Sequence, residues 1–182
     1  MVNYVAFLRG IGPGNPNMAN DKLRGVLEEL GFSDVRSFIS SGNLVFRSDE
    51  TDIRNLEGKI ERAWPEKLGF TSATVVRSRE QLQKIVDTNP FEGLTHSEKT
   101  YLLVTLFQKP AKLPFKLPHH PEGRPFYLLA GDKNVVFSVS DTTKTQGATI
   151  MVWLEKQFGK QITSRTWQTV TRILKKMDGD AA

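Results

Sequence analysis

The stretch Arg9-Gly10-Ile11-Gly12-Pro13-Gly14-Asn15-Pro16 has residue types and spacing suited to holding an anion. Three glycines let backbone N–H groups converge without side chains in the way. The segment feeds a predicted helix, whose first N–H groups and dipole favour negative charge. Arg9 adds a planar fork of donors that matches phosphate or carboxylate. Arg9, Gly10, Gly12 and Gly14 are therefore the first candidate ligand-binding residues. The segment is no Walker loop, because no Gly-Lys-Ser/Thr follows. It is no dinucleotide fingerprint either, since Asn15 stands where a third glycine belongs. The competing reading is a tight structural turn with Arg9 paired to a nearby carboxylate.

Two more residues join this set. Asn43, in Ser41-Gly42-Asn43, is a candidate amide donor beside Arg9, against its reading as a plain hairpin residue that tolerates positive φ. Arg165 falls, on the reading below, at the second position of a helix, where a cation opposes the dipole. A bound anion or a buried carboxylate repays that cost; the alternative is a locally paired arginine. His96, His119 and His120 are the only histidines, and there is no cysteine. Thiolate nucleophiles, iron–sulfur clusters and cysteine zinc sites are thereby excluded. No metal and no cofactor is expected. Ser40 and Ser41 have no evident base, and no Gly-x-Ser-x-Gly elbow occurs.

The elements that must position these residues follow from periodicity. Val2–Leu8 reads as a strand. Ala19, Leu23, Val26, Leu27 and Leu30 recur at helical spacing, with Asn17 as N-cap and Gly31 as stop. Val35–Ser40 and Leu44–Phe46 read as a hairpin. A second helix starts near Asp52 and should break or kink at Pro65. Ala73–Arg77 is a further strand, and Ser78 with Gln81 forms a capping box for a third helix. This β-α-β-β-α-β order is the split-βαβ, ferredoxin-like pattern. Its sheet order, 4-1-3-2, puts the Arg9 loop and the Gly42 turn at one end of the sheet, about 10 Å apart at their bases.

The second half reads as a strand at Tyr101–Phe107, then a segment with five prolines that is neither helix nor central strand. A hairpin of Phe126–Leu129 and Val135–Val139 follows, then a helix ending at Gly159. Thr163 is expected to cap a last helix, with Ile162 and Trp167 as a hydrophobic staple. Trp167 is expected in the core. The expected domains are a ferredoxin-like subdomain over 1–90 and an α+β subdomain with basic helices over 91–182. The element order of the halves is similar, with no residue-level repeat visible.

Composition narrows the classes. The 182 residues are 38% hydrophobic and 25% charged, which excludes wholesale disorder and collagen. No apolar run approaches the roughly 20 residues of a membrane span. The first residues lack a signal-peptide pattern. A cytoplasmic protein without membrane partners is the expectation. Net charge is +5, and residues 1–80 are balanced at 11 basic and 11 acidic side chains. The excess therefore lies in the second half, above all in Lys156, Lys160, Arg165, Arg172, Lys175 and Lys176. Such a face attracts polyanions, against its reading as a solvated helix surface.

Several of these pieces together resemble a known family. Arg9-Gly10-Ile11 after an apolar strand, Met18, Leu30-Gly31-Phe32 with Val35, and Ser41-Gly42-Asn43-Leu44-Val45-Phe46 are similar to domain of unknown function family 1697. So is Thr163-Ser164-Arg165-Thr166-Trp167-Gln168-Thr169 near the C-terminus. The resemblance runs over about residues 4–174. It implies a bacterial-type cytoplasmic protein of two ferredoxin-like subdomains, and it brings no established activity and no catalytic residues. Two departures stand out. The loop after Ile11 is richer in proline than the family's Asn-Val-Gly, and Thr166 replaces an asparagine. An arginine and an asparagine at this sheet edge also match, by fold analogy alone, the pairing in acylphosphatases, whose loop motif is not met here.

Two functions compete on this reading. One is a small-anion binding protein for a phosphorylated or carboxylate ligand, with a phosphate-ester enzyme as its extension. The other is a non-catalytic nucleic-acid or protein-binding module that uses the basic C-terminal helices.

Overall fold

A mostly apolar first segment becomes β1, Val2–Leu8, an inner strand buried on both faces from Tyr4 to Leu8. The computed structural model describes residues 1–39, 42–144 and 149–179. Among the described residues are two four-stranded antiparallel sheets and five helices. Together they form a two-subdomain α+β fold. The chain divides into two compact units, Met1–Gln83 with Ile173–Ala182, and Lys84–Arg172. Both divisions fall inside helices, α3 (Arg79–Asp87) and α5 (Trp167–Gly179).

The first unit runs β1, α1 (Asn20–Glu29), β2 (Ser33–Ser37), β3 (Asn43–Ser48), α2 (Ile53–Leu68), β4 (Thr74–Ser78) and the start of α3. The sheet order is β2-β3-β1-β4, the expected ferredoxin-like order. Tyr4, Ala6 and Leu8 face α1 and α2, where they meet Leu23, Val26, Leu27, Leu56, Ile60 and Trp64. Strand alternation turns Val5, Phe7, Val45 and Val75 to the other face, and all four are buried. Trp64 is fully buried, and its indole N–H donates to Thr74 Oγ1 at 3.0 Å. That bond removes the desolvation cost an unpaired indole would carry.

Two expectations about helix ends are corrected. Asn17 is not the cap of α1. It sits in a 3₁₀ turn, Pro16–Met18, that Asn15 caps, and Ala19 then leads into α1 without a side-chain cap. Pro65 does not end α2, which continues through it to Leu68 and stops at Gly69 in the left-handed region, φ 75°. Pro65 is exposed, while Ala63 and Trp64 are buried. Packing of that face outweighs the lost hydrogen bond, a cost of about 3 kcal/mol.

β4 is an edge strand whose outer N–H groups are capped by side chains. Thr74 N–H donates to Glu61 at 2.8 Å, Val76 N–H to Glu57 at 2.9 Å, and Ser78 N–H to Gln81 at 3.0 Å. Glu57 and Glu61 stand one turn apart on α2, so their spacing matches every second residue of β4. Gln81 N–H donates in return to Ser78 Oγ at 3.1 Å, the capping box expected at α3.

The second unit runs β5 (Thr100–Phe107), β6 (Phe126–Gly131), β7 (Val135–Asp141), α4 (Thr149–Phe158), β8 (Ile162–Thr166) and the start of α5, with sheet order β6-β7-β5-β8. The proline-rich segment stands where the first unit has α1. Its Leu113, Phe115 and Leu117 pack on the core of Phe107, Phe126, Leu128, Ile150 and Leu154. His119 exchanges two backbone hydrogen bonds with Leu128, at 2.8 and 2.9 Å, and so covers part of the β6 edge.

Residues 162–166 correct the expected last helix. They form β8, and α5 starts at Trp167. Thr166, not Thr163, is the cap, accepting from Thr169 N–H at 3.2 Å. β-Branched Ile162, Thr163 and Thr166 favour a strand, and β5 needs a partner on its open side. The staple of Ile162 and Trp167 is therefore absent. Half-buried Trp167 instead meets Phe91 and Phe137 edge-on, at ring distances of 5.4 and 6.2 Å.

Candidate functional site

The β1 end that carries the glycine loop is fixed on both sides. Leu8 N–H donates to Gly42 O at 2.8 Å, and Arg9 N–H donates to Ala73 O at 2.9 Å. Ser72 Oγ donates to Arg9 O at 2.7 Å. The loop base and the β2–β3 turn thus lie side by side, as the sheet order required; Ser40 and Ser41 lie outside the described residues. Gly10 has φ 72°, a conformation that glycine adopts without penalty. Gly12 and Gly14 are different: neither has positive φ, and a Cβ on either meets nothing within 4 Å.

The loop spends part of its hydrogen-bonding capacity on itself. Gly12 N–H points at Met18 Sδ, 3.5 Å away, Asn15 N–H donates to Gly12 O, and Asn17 N–H donates to Asn15 Oδ1. Asn43 is fully buried, and its amide donates to Phe38 O at 3.2 Å while Phe38 N–H donates to Asn43 O at 3.0 Å. These bonds tie the ends of the hairpin.

Arg165 lies in the second unit, in the middle of β8 opposite Val104, so the argument from a helix dipole does not apply to it. Its Nη1 donates to Thr163 Oγ1 and to Ser164 O, both at 2.8 Å. Burial pulls its guanidinium down to about 10, so it stays a cation at neutral pH.

The same local arrangement recurs in the first unit and reveals a repeat that the sequence hid. Arg77 lies opposite Val5 in β4, and its Nη1 donates to the carbonyl of the preceding Val76 at 2.8 Å. Arg77 is followed by the helix cap Ser78, and Arg165 by the helix cap Thr166. Beyond each cap, at the same offset, the chains continue as Leu82-x-x-Ile85 and Val170-x-x-Ile173, all buried. Thr166 caps a helix through its hydroxyl, a role that threonine fills well.

Buried charge also sits on α2. Glu57 is 4% exposed, and burial pushes its carboxyl up to about 7 against the lowering effects of the Val76 N–H and the Arg77 cation. Arg77 Nη1 is 4.0 Å from its carboxylate. This pair lies within packed structure, where it organises β4.

A cleft at the outer edge of β2 has a different character. It encloses about 330 Å³ and is lined by Arg24 of α1, by Val35, Arg36, Ser37 and Phe38, and by Lys176 of α5. Of its described lining residues half are basic and none is acidic. Arg24 Nη1 donates to Ser37 Oγ at 2.9 Å. The Arg36 guanidinium lies 5.9 Å from the centre of the Phe38 ring, within cation–π range. Two other clefts of this unit mix their charges. One sets Lys22 and Lys67 beside Glu29, with Lys67 and Glu29 paired at 3.1 Å. The other combines Arg47, Lys59 and Arg62 with Asp49 and Glu50.

The sequence reading singled out Lys176 in a basic helix and missed Arg24, Arg36 and Ser37. A usable signal was present: β2 reads Ser33-Asp34-Val35-Arg36-Ser37, and its one acid, Asp34, is taken by Arg47 at 3.2 Å. The helical and strand positions of the three cations converge only once the sheet is assembled.

A family model described as Protein of unknown function (DUF1697) matches residues 1–117. The chain belongs to that family. The match takes in the glycine loop, Asn43, Arg24, Arg36 and Ser37, and it ends before Arg165 and Lys176. Among solved structures, the DUF1697 chain is similar to the conserved bacterial protein SP0830 from Streptococcus pneumoniae, at 22% identity and a TM-score of 0.71. The likeness covers 97% of this chain and 98% of that one, and it concerns the fold. No curated protein matches. Among the described residues no helix is long and apolar enough to cross a membrane.

Proposed function

We propose that this DUF1697 protein binds a small anionic ligand, a phosphate or carboxylate compound, through its first unit. The observation that carries the reading is the β2-edge cleft, where Arg24, Arg36 and Lys176 converge and no carboxylate is among the described lining residues. A cleft lined by cations attracts an anion. Two guanidinium groups also supply paired donors for an oxyanion.

In this reading Arg9 is a flanking cation at the same end of the sheet, and the glycine loop is chiefly a structural turn. Asn43 serves the hairpin, and Arg165 takes no part. The test is a thermal-shift and calorimetric titration at low salt with inorganic phosphate, phosphate esters and carboxylates. A ligand at 100 times its Kd adds about 2.7 kcal/mol of stability, worth roughly 5–10 °C in a protein of this size. Arg36→Gln should remove the shift while Arg9→Ala keeps most of it. Equal shifts in wild type and Arg36→Gln, or loss in Arg9→Ala alone, overturn the cleft as the site.

A second reading rests on a separate observation. Arg172, Lys175 and Lys176 are exposed at i, i+3 and i+4 of α5, one face of a helix. That stripe suits single-stranded nucleic acid. Binding by it should weaken steeply with salt, with a log–log slope of about −0.7 per phosphate neutralised. Salt-independent binding, or none at low salt, removes this reading.

A further inference from the structure

We propose that His96 is a pH-operated latch of the second unit. Its neutral imidazole holds the segment before β5 against that strand, and protonation releases it. This device is independent of the anion-binding reading above.

β5 loses a partner at one end. β8 pairs with it as far as Leu103 opposite Thr166, because α5 begins at Trp167. Val104 stands opposite Arg165 and Leu106 opposite Thr163, and Gln108 N–H donates to Gln161 O on the same side. Alternation along an antiparallel strand turns the N–H of Leu102 to this side as well, where the strand that would accept it has ended. Leu102 is 2% exposed, and a buried N–H without a partner is costly. His96 Nδ1 fills the gap, accepting from Leu102 N–H at 3.2 Å. The imidazole thus continues the ladder in place of a backbone carbonyl.

That role fixes the proton. A neutral imidazole accepts at one nitrogen, so the proton of His96 sits on Nε2. An imidazolium donates at both nitrogens, and its Nδ1–H would face the Leu102 N–H, donor against donor. The ring also stacks on Tyr101, with 4.9 Å between centres and 27° between planes. An aromatic face attracts a cation, so this contact tolerates the charge and the backbone N–H does not.

The segment is anchored at its two ends. Phe91 is 3% exposed and meets Phe137 and Trp167 edge-on. Thr142, just beyond β7, donates its N–H to Lys99 O at 3.0 Å. Between these anchors Glu92, Gly93, Leu94 and Thr95 are exposed, and His96 ties the stretch to β5. Imidazole changes charge between pH 5 and 8, and the other charges around it are steady. On the β8 and α5 side, Thr166, Trp167 and Gln168 are neutral and Arg165 stays a cation. Across β5, Asp141 of β7 is paired with Lys144 at 3.5 Å, and its hydrogen bond from Thr143 holds the carboxyl below the usual carboxylate range. Glu92, Glu98 and Lys99 of the segment itself are exposed.

The experiment is nitrogen-15 NMR of the whole protein at pH 8 and pH 5, with amide exchange read as protection relative to the intrinsic rate. At pH 8 the His96 ring should show the Nε2–H tautomer. At pH 5 Leu102 should lose protection by about tenfold or more, while Val104, inside the β5–β8 ladder, keeps its own. His96→Asn sets an amide oxygen where Nδ1 stood and carries no titrating proton, so it should keep Leu102 protected at both pH values. His96→Ala should leave Leu102 open at both; if that variant fails to fold, His96→Asn decides alone. The buried Glu57 carboxyl adds stability as pH falls, so a loss confined to Leu102 is local opening.

The Nδ1–H tautomer at pH 8 overturns the proposal, as does equal Leu102 protection at the two pH values. A loss shared by Val104, or one as large in His96→Asn as in wild type, overturns it likewise.

Discussion

Replacing Glu57 with glutamine should change how stability depends on pH. Glu57 is buried under β4 and its carboxyl is pushed up to about 7 by burial. In the unfolded chain it titrates near its ordinary value of 4.5. Between these limits the native state holds a proton that the unfolded state has lost. Stability contributed by this group is therefore full below pH 4.5 and declines as pH rises toward 7. One pKa unit corresponds to about 1.36 kcal/mol, so the whole window is worth up to about 3 kcal/mol. The glutamine keeps an oxygen for the Val76 N–H and carries no titrating proton. It also removes the carboxylate 4.0 Å from Arg77 Nη1, whose attraction is already contained in the native value of about 7. The measured quantity is the difference in unfolding free energy between wild type and Glu57→Gln, from urea titrations at pH 4.5, 5.5, 6.5 and 8. That difference should move by up to about 3 kcal/mol across the series, with wild type losing ground as pH rises. Parallel pH profiles for the two proteins refute the reasoning, because they place the Glu57 carboxyl at its ordinary value in the fold.

Other substitutions separate architecture from binding. Gly10→Ala should cost about 1–2 kcal/mol in urea unfolding, since Gly10 holds φ 72° and a side chain there is strained even in open space. Gly12→Ala should stay within about 0.5 kcal/mol of wild type, because its Cβ meets nothing within 4 Å; the two midpoints measured together show whether the loop is a turn of one required glycine. Gly131→Ala should destabilise the β6–β7 hairpin, as the new Cβ would sit 2.6 Å from Val135 O, and hydrogen exchange at Val135 and Val136 should speed up. Thr166→Ala removes the cap of α5 and should cost about 1 kcal/mol, whereas Thr163→Ala would cost the larger share if the helix began there.

The first unit was legible because its signals agree. β1 is apolar on both faces, α1 and α2 repeat at helical spacing, and Ser78 with Gln81 marks α3, so the sheet order followed from topology. Pro65 misled because the sequence shows a helix breaker but not the buried Trp64 that holds the helix through it. Residues 163–169 misled for another reason. Thr163-x-x-Thr166 and Thr166-x-x-Thr169 offer the same capping pattern twice, and only the open side of β5 selects the second. The candidate site was less legible still. The glycine loop drew attention by composition, yet Gly12 and Gly14 prove open to a side chain and Asn43 is buried. The three cations of the cleft come from α1, β2 and α5, near opposite ends of the chain, and their meeting in one lining is a property of assembly alone.

The capped outer edge of β4 bears on how the first sheet can add a neighbour. A sheet with two open edges behaves like a bifunctional monomer, able to add a neighbour at each end and grow without limit. Glu57, Glu61 and Gln81 occupy the three outward N–H groups of β4 and so make the first sheet monofunctional. Pairing of two first sheets through β2 then ends at two, because each outer strand is a capped β4. For this sheet the carboxylates of α2 act as chain stoppers.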